Sequence, residues 1–106
     1  MMNEITVQEL KNRLAHQSKL QIVDVREPAE FELCNIGGDH IPMQELPKQV
    51  SRIRQDIPVV IVCHYGYRSA QVINYLSQRY GYDNLLNLKG GINAWATEID
   101  PDMAVY

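Results

Sequence analysis

The segment that most restricts the fold is a run of four β-branched residues, Val59–Val62, which leads directly into the short polar stretch Cys63–Ser69. A continuous apolar run of this length is typical of a strand that is buried on both faces. The stretch is followed by apolar residues with the spacing of one helical face, namely Val72, Ile73, Leu76 and Tyr80. The segment therefore predicts a buried strand, a tight loop and a helix, with Cys63 at the end of the strand.

Cys63 lies where this segment stabilises an anion best. The first N–H groups of a helix have no partner within the helix, and those of a loop that opens the helix point the same way. Such a position favours the thiolate, which is the nucleophilic form of cysteine. Arg68 adds a positive charge, and no Asp or Glu occurs from Ile57 through Tyr82. We predict that Cys63 is the reactive residue; the alternative is a buried structural cysteine.

Strand and helix patterns alternate along the rest of the chain. Thr6 and Glu9 have the spacing of a capping box at the start of a helix over 7–15, Pro28 suits the first turn of a helix over 28–33, and Gly81 ends the helix after the loop. Further strands are predicted over 20–25 and 84–88, a short extended segment at 40–42, and helices over 46–53 and 91–97. This alternation predicts an α/β fold with a mostly parallel sheet covered by helices on both faces.

Four motifs occur in order between residues 5 and 95. They are Ile22–Glu27 with Glu30 and Phe31, then Ile41-Pro42, then Cys-x-x-Gly-x-Arg-Ser at Cys63–Ser69, and finally Leu88–Gly91 followed by Trp95. This set resembles the single-domain rhodaneses, and the Cys63 loop is similar to their active-site loop. Four motifs in order are far more specific than one. The resemblance implies a rhodanese-like fold with a five-stranded, mostly parallel sheet.

The resemblance also implies a sulfurtransferase that works by double displacement. The Cys63 thiolate is expected to take the outer sulfur of a small donor such as thiosulfate, which leaves a Cys63 persulfide. Cyanide, a thiol or a protein cysteine is then expected to remove that sulfur. No metal and no organic cofactor is expected. The stretch 99–106 is similar to the tails of rhodanese domains fused to adenylyltransferases, which favours a protein as the acceptor.

The length of the loop separates this chemistry from phosphate chemistry. Cysteine-dependent phosphatases use Cys-x5-Arg, whereas four residues separate Cys63 from Arg68. The tighter ring of amides suits the terminal sulfur of a persulfide better than the three oxygens of a phosphate. A phosphatase or arsenate reductase of the same fold is the enzymatic alternative. A non-catalytic sulfur-carrier or protein-binding rhodanese module is the other, although such modules usually lack the cysteine.

The other residues of the loop have separate expected roles. Arg68 is expected to attract an anionic donor and to steady the loop, and Gly66 to supply a positive φ or a close backbone approach. Ser69 either caps the helix or hydrogen-bonds the sulfur of Cys63. The rim of the pocket is assigned to His64, Tyr65 and Tyr67. His64 is also a candidate proton donor or a candidate local positive charge.

Residues upstream of the loop are expected to support it. Within the resemblance, Asp24, Arg26 and Glu30 match a structural ion-pair set that braces the loop. Cys34 is a second thiol, which either resolves a Cys63 persulfide as a disulfide or is a structural residue. The chain reads Cys-Asn-Ile-Gly-Gly-Asp over 34–39 where family members often have Gly-His-Ile followed by Gly-Ala, so the local turn is expected to differ.

Composition narrows the class of protein. A chain of 106 residues has room for one hydrophobic core, and we expect a single domain over 1–106. The net charge of −3 argues against general nucleic-acid binding, which needs clustered Lys and Arg. No apolar run approaches the roughly 20 residues of a membrane span, and residues 1–6 lack the features of a signal peptide. Two cysteines make no disulfide framework, so a reducing cytoplasm is the expected compartment.

Overall fold

The computed structural model describes residues 2–105 and places five strands of this range in one sheet. The strands are β1 (Glu4–Ile5), β2 (Gln21–Asp24), β3 (Asp39–His40), β4 (Val59–Val62) and β5 (Leu85–Leu88). Their order across the sheet is β1-β5-β4-β2-β3, and every neighbouring pair is parallel. The predicted α/β fold with a five-stranded parallel sheet is confirmed.

Helices cover both faces of this sheet. They are α1 (Val7–Ala15), α2 (Pro28–Leu33), α3 (Leu46–Gln49), α4 (Tyr67–Tyr80) and α5 (Gly91–Glu98), and a 3₁₀ turn (Val50–Arg52) continues α3. Alternate residues of β4 separate the two layers of the core: Val59 and Ile61 pack in the cluster that includes residues of α3 and α4, and Val60 and Val62 in the cluster that includes residues of α1 and α5. The β4 run is uniformly apolar because both of its faces are covered.

Most of the predicted element boundaries are close to the observed ones. The capping box of α1 is present, with the Thr6 hydroxyl accepting from the Glu9 N–H at 3.1 Å and the Glu9 carboxylate from the Thr6 N–H at 2.9 Å. The helix expected over 46–53 instead changes to 3₁₀ geometry at Val50. There the hydroxyl of the buried Tyr82 donates to the Val50 and Ile53 carbonyls, so a tertiary contact replaces the last α-helical turn.

Strand β1 was not predicted. It consists of only Glu4 and Ile5, and two residues are too few to show a period. Its pairing is tertiary: Glu4 lies opposite Asn87 and Ile5 opposite Leu88 in β5, and the Lys89 N–H donates to the Ile5 carbonyl at 2.9 Å. The partner strand therefore decides the conformation of this segment.

Helix α4 carries the end of the Cys63 loop and is the longest helix of residues 2–105, at 14 residues. Its buried face consists of Ser69, Val72, Ile73 and Leu76. Its last residue is followed by Gly81 in the left-handed region at φ 72°, as the sequence predicts. No helix within the described residues combines the length and apolarity that crossing a membrane requires.

Helix α5 begins directly against the end of β4. Gly91, its first residue, has a φ of 58°, and a Cβ atom there would overlap the backbone carbonyl oxygens of Cys63 and His64. Because these are backbone atoms of a packed strand end, they have little freedom to move aside. Glycine at this position is what allows α5 and the Cys63 loop to approach each other.

We therefore expect Gly91→Ala to lower the free energy of unfolding by about 3 kcal/mol or more, since left-handed strain and overpacking add together. Gly81→Ala is the matched control, because Gly81 has a similar positive φ but no atom within 4 Å of the added carbon. It should cost about 1 kcal/mol through conformation alone. Equilibrium unfolding in urea measures both values, and equal losses would contradict the assignment of a steric role to Gly91.

Candidate active site

The sulfur of Cys63 lies beneath the loop that connects β4 to α4. Cys63 is 1% exposed, and its Sγ atom accepts a hydrogen bond from the Gly66 N–H at 3.0 Å. Gly66 precedes the first residue of α4 and has a φ of 108°, which directs its N–H back toward the sulfur. A Cβ at this position would meet no atom closer than 3.7 Å, so the backbone conformation rather than space requires glycine. The expected positive φ is confirmed.

Ser69 lies next to the sulfur, in the first turn of α4. Its side chain is buried, and Oγ is 3.3 Å from Cys63 Sγ. The same hydroxyl donates to Asn87 Oδ1 at 2.5 Å. The hypothesis that Ser69 caps the helix is wrong, because Gly66 occupies the cap position and no side chain makes the capping hydrogen bond. The hypothesis of a contact with the sulfur is confirmed.

Asn87 in β5 belongs to this arrangement, and the sequence analysis missed it. Its side chain is buried, and Nδ2 donates to the Gly66 carbonyl at 3.0 Å. Asn87 thus links β5 to both the loop and the first turn of α4. A signal was available, because Asn87 is the only polar residue of β5 and a buried amide requires partners. Those partners are 18 and 21 residues away along the chain, so the strand pattern did not reveal them.

The first turn of α5 holds the loop from the other side. The Ile92 N–H donates to the Cys63 carbonyl at 2.9 Å, and the Asn93 N–H to the His64 carbonyl at 3.0 Å. These N–H groups have no partner within their own helix, and the two carbonyls have none within the loop. The mutual pairing keeps the loop carbonyls directed toward α5. Gly91, the last residue of the Leu88–Gly91 motif, permits this contact, because a Cβ there would overlap the same two carbonyl oxygens.

Arg68 and Glu30 form a bidentate ion pair between α4 and α2. The distances are 2.7 Å from Nη1 to Oε1 and 2.9 Å from Nη2 to Oε2. These bonds are the main reason that the pKa of Glu30 is lowered to about 2, although burial acts in the opposite direction. The Glu27 N–H and the charges of Arg68 and Arg26 lower the pKa further. Glu30 therefore stays ionised at neutral pH. The pair ties α4 to α2; that Arg68 steadies the loop and attracts a donor both stay predictions.

Asp24 and Arg26 form a second, fully buried pair at the end of β2. The Arg26 Nη2 atom is 2.8 Å from Asp24 Oδ2. Arg26 also donates to the Cys34 carbonyl just after α2 at 2.6 Å, and to the Glu30 carbonyl at 3.3 Å, which accepts the Cys34 N–H as well. Asp24, Arg26 and Glu30 were expected to form one ion-pair set. Instead Asp24 pairs with Arg26, and Glu30 pairs with Arg68.

Two of the three predicted rim residues are on the surface. Tyr65 and Tyr67 are 52% and 79% exposed, whereas His64 is mostly buried and stacks on Tyr65 with ring centroids 4.1 Å apart. Burial, and then the charges of Arg68 and Arg26, lower the pKa of His64 despite the nearby Glu30. His64 is therefore predominantly neutral at pH 7, which disfavours the hypothesis of a local positive charge.

The two cysteines pack in different parts of the core. Cys63 belongs to the cluster that includes residues of α3 and α4, and Cys34 packs against the cluster that includes residues of α1 and α5. Both are free thiols, and Cys34 Sγ lies 3.9 Å from the Arg26 guanidinium. This packing supports a structural role for Cys34, while its role as a resolving thiol stays a hypothesis.

Comparison with known sequences agrees with this geometry. The model of the rhodanese-like domain family matches residues 6–98. A sulfurtransferase of Allochromatium vinosum is 44% identical over 97 residues, which cover 91% of this chain and 90% of the relative. The probable adenylyltransferase/sulfurtransferase MoeZ of Mycobacterium tuberculosis is 33% identical over 105 residues. That match covers 96% of this chain but 26% of MoeZ, so the chain spans about a quarter of the longer protein.

Comparison with solved structures leads to the same family. The crystal structure of a rhodanese-like domain protein from Staphylococcus aureus has a TM-score of 0.82 and 35% identity, and the match covers 99% of both chains. A rhodanese-related protein from Thermoplasma volcanium has a TM-score of 0.76 and 30% identity, with 92% and 93% covered. The chain therefore belongs to the family of rhodanese-like domains, and sulfur transfer is the activity supported at the level of that family.

Proposed function

We propose that this protein moves sulfane sulfur from a donor such as thiosulfate to a nucleophilic acceptor, with Cys63 as the carrier. The observation that carries the proposal is the position of Cys63 Sγ, which lies at the end of β4 and accepts the Gly66 N–H at the start of α4. A helix N-terminus with inward N–H groups stabilises negative charge on sulfur. We propose that this sulfur transfer needs neither a metal nor an organic cofactor.

The reaction consists of two displacements. In the first, the Cys63 thiolate attacks the outer sulfur of thiosulfate, the sulfur–sulfur bond of the donor breaks, and sulfite leaves with the electron pair. In the second, an acceptor nucleophile attacks the terminal sulfur of the persulfide, and the Cys63 thiolate leaves. Each displacement passes one sulfur atom, so the resting enzyme is regenerated after both.

Burial of Cys63 has a consequence for both displacements. Because the residue is 1% exposed, a donor reaches the sulfur only when the loop or the side chains above it shift. Tyr65, in the same loop, and Tyr67, which follows it, are exposed and offer aromatic surface to an approaching partner. A protein acceptor is supported by the likeness to MoeZ, which is named as a combined adenylyltransferase and sulfurtransferase. We place the protein in a reducing cytoplasm, where Cys63 and Cys34 persist as free thiols.

Treatment with thiosulfate is expected to add one sulfur atom to Cys63 and none to Cys34. Cys63 accepts a backbone N–H at 3.0 Å, whereas the only donor to Cys34 Sγ within residues 2–105 is the distant Arg26 Nη1 at 3.9 Å, whose guanidinium is paired with Asp24. Intact-mass spectrometry followed by peptide mapping measures the addition. Under the same conditions an aryl phosphate should be turned over negligibly, because the four-residue loop is too tight for a tetrahedral oxyanion. Equal labelling of the two cysteines, or efficient phosphatase activity, would overturn the proposal.

Cys63→Ser is expected to abolish sulfur transfer to cyanide with the fold retained, since a neutral hydroxyl cannot carry sulfur. Cys34→Ser is the matched control and should keep most of the activity. Steady-state rates with thiosulfate, together with melting curves, measure both effects. A Cys34→Ser variant that melts normally but is inactive would replace the single-cysteine mechanism by a two-cysteine relay.

The Arg68–Glu30 pair is expected to act on catalysis by bracing the loop. Arg68→Ala and Glu30→Gln should each lower kcat/KM for thiosulfate roughly threefold to tenfold, because each removes the charge-assisted bonds that tie α4 to α2. The double variant should be no worse than the more damaged single variant. If Arg68 instead binds the donor directly, Glu30→Gln frees its charge and lowers KM, which steady-state kinetics would detect.

A further inference from the structure

The orientation of the Asn87 amide follows from its surroundings. The Gly66 carbonyl can only accept a hydrogen bond, so the amide atom that faces it at 3.0 Å is Nδ2. The other amide atom, Oδ1, therefore faces Ser69 Oγ. An amide oxygen also only accepts, so the hydroxyl hydrogen of Ser69 lies on the bond to Asn87.

This direction decides what Ser69 presents to the sulfur. A serine hydroxyl has one hydrogen, and with that hydrogen directed to Asn87, lone pairs of Oγ face Cys63 Sγ at 3.3 Å. A thiol suits this arrangement, because its S–H can donate to Ser69 Oγ. A thiolate does not, because lone pairs would then face a negative charge. For Ser69 to add a hydrogen bond to the thiolate, its hydrogen must turn from Asn87 to the sulfur.

We propose that Asn87 is a positioning residue that controls the ionisation of Cys63 by holding the Ser69 hydroxyl hydrogen away from the sulfur. On ionisation the S–H bond breaks, its electron pair stays on sulfur and the proton goes to a base in the solvent. The Ser69 O–H bond stays intact and rotates toward the anion. Asn87 Oδ1 then loses its hydrogen bond inside the core, so Asn87 sets a cost on forming the thiolate.

The inference deepens the proposed function and rests on it, since the anion concerned is the proposed sulfur carrier. Such a cost has a functional advantage, because oxidation of cysteine follows thiolate character. When the donor binds, the Ser69 hydroxyl hydrogen is still directed to Asn87 and can turn to the sulfur as the thiolate forms. The protonation state of the sulfur thus depends on a residue of β5 whose side-chain hydrogen bonds go to Ser69, Gly66 and Met2 and not to the sulfur.

The charged and titratable groups around Cys63 are distinct from this device. Arg68 on α4 is paired with Glu30 on α2, Asp24 and Arg26 are paired at the end of β2, and His64 lies in the loop. From β5 the neighbouring side chain is the uncharged Asn87, and from α5 the contacts are backbone N–H groups. Substitution of Asn87 by an apolar residue leaves every one of these charges in place.

The test measures the pH dependence of Cys63 alkylation by iodoacetamide, in a Cys34→Ser background so that one thiol reacts. Asn87→Leu frees the Ser69 hydrogen for the sulfur, and the midpoint of the profile should fall by about one pH unit. Asn87→Asp keeps an acceptor for that hydrogen, so the midpoint should not fall. In a Ser69→Ala background, Asn87→Leu should no longer lower the midpoint, because the hydroxyl through which it acts is gone.

Asn84→Ala is the matched control. The Asn84 amide also makes structural hydrogen bonds, to the Arg54 and Ile57 carbonyls at 2.9 and 2.6 Å, but at the opposite end of β5. It should lower the melting temperature without moving the midpoint. A merely structural role for Asn87 predicts a different result, since a loosened loop weakens the Gly66 N–H contact and raises the midpoint.

The inference is overturned if Asn87→Leu raises the midpoint or leaves it unchanged, if Asn87→Asp lowers it equally, or if the Leu shift persists without the Ser69 hydroxyl. Asn87→Thr, whose side chain suits a strand but is too short to hold the Ser69 hydrogen, takes the place of Asn87→Leu if the latter does not fold. Failure of the proposed function has a different signature. In that case thiosulfate adds no sulfur to Cys63, while the alkylation midpoints still move as described.

Discussion

In the proposed function, Cys63 carries negative charge on a sulfur atom held away from water, and such an atom needs hydrogen-bond donors in fixed positions. Desolvation of an anion is costly unless polar groups replace the lost water. At Cys63 the replacement comes from the backbone, through the Gly66 N–H at 3.0 Å and the start of α4. A backbone donor cannot rotate away as a side chain can. Because the donor is part of the backbone, however, the whole loop must be held in one conformation for the hydrogen bond to form.

Three neighbouring elements make contacts that hold the loop, and none of them contains Cys63. Helix α5 pairs its first N–H groups with the Cys63 and His64 carbonyls. Strand β5 contributes Asn87, which binds the Gly66 carbonyl and the Ser69 hydroxyl. Helix α2 contributes Glu30, which binds Arg68. The parallel order β5-β4-β2 makes this possible, because the ends of adjacent parallel strands meet at one edge of the sheet.

The two ion pairs contribute geometry more than stability. Asp24 and Arg26 are buried, and a buried pair recovers in attraction little more than the cost of removing its charges from water. What the pair does is place the Arg26 guanidinium against the carbonyls at the end of α2. Glu30, in the first turn of the same short helix, binds Arg68. A chain of contacts thus runs from β2 through α2 to α4.

The sequence by itself determined the features that depend on local physics. The β-branched run of β4, the Thr6–Glu9 capping box, the glycine at the end of α4 and the positive φ of Gly66 all follow from preferences within a few residues. The position of Cys63 between a strand and a helix followed in the same way. Tertiary structure decided the rest. It formed β1 on β5, it gave the Glu30 carboxylate to Arg68, and it brought Asn87 to Ser69 and Gly66. Each of these depends on hydrogen-bonding groups far apart in the chain, whose partners no local pattern specifies and only the packing of the sheet brings together.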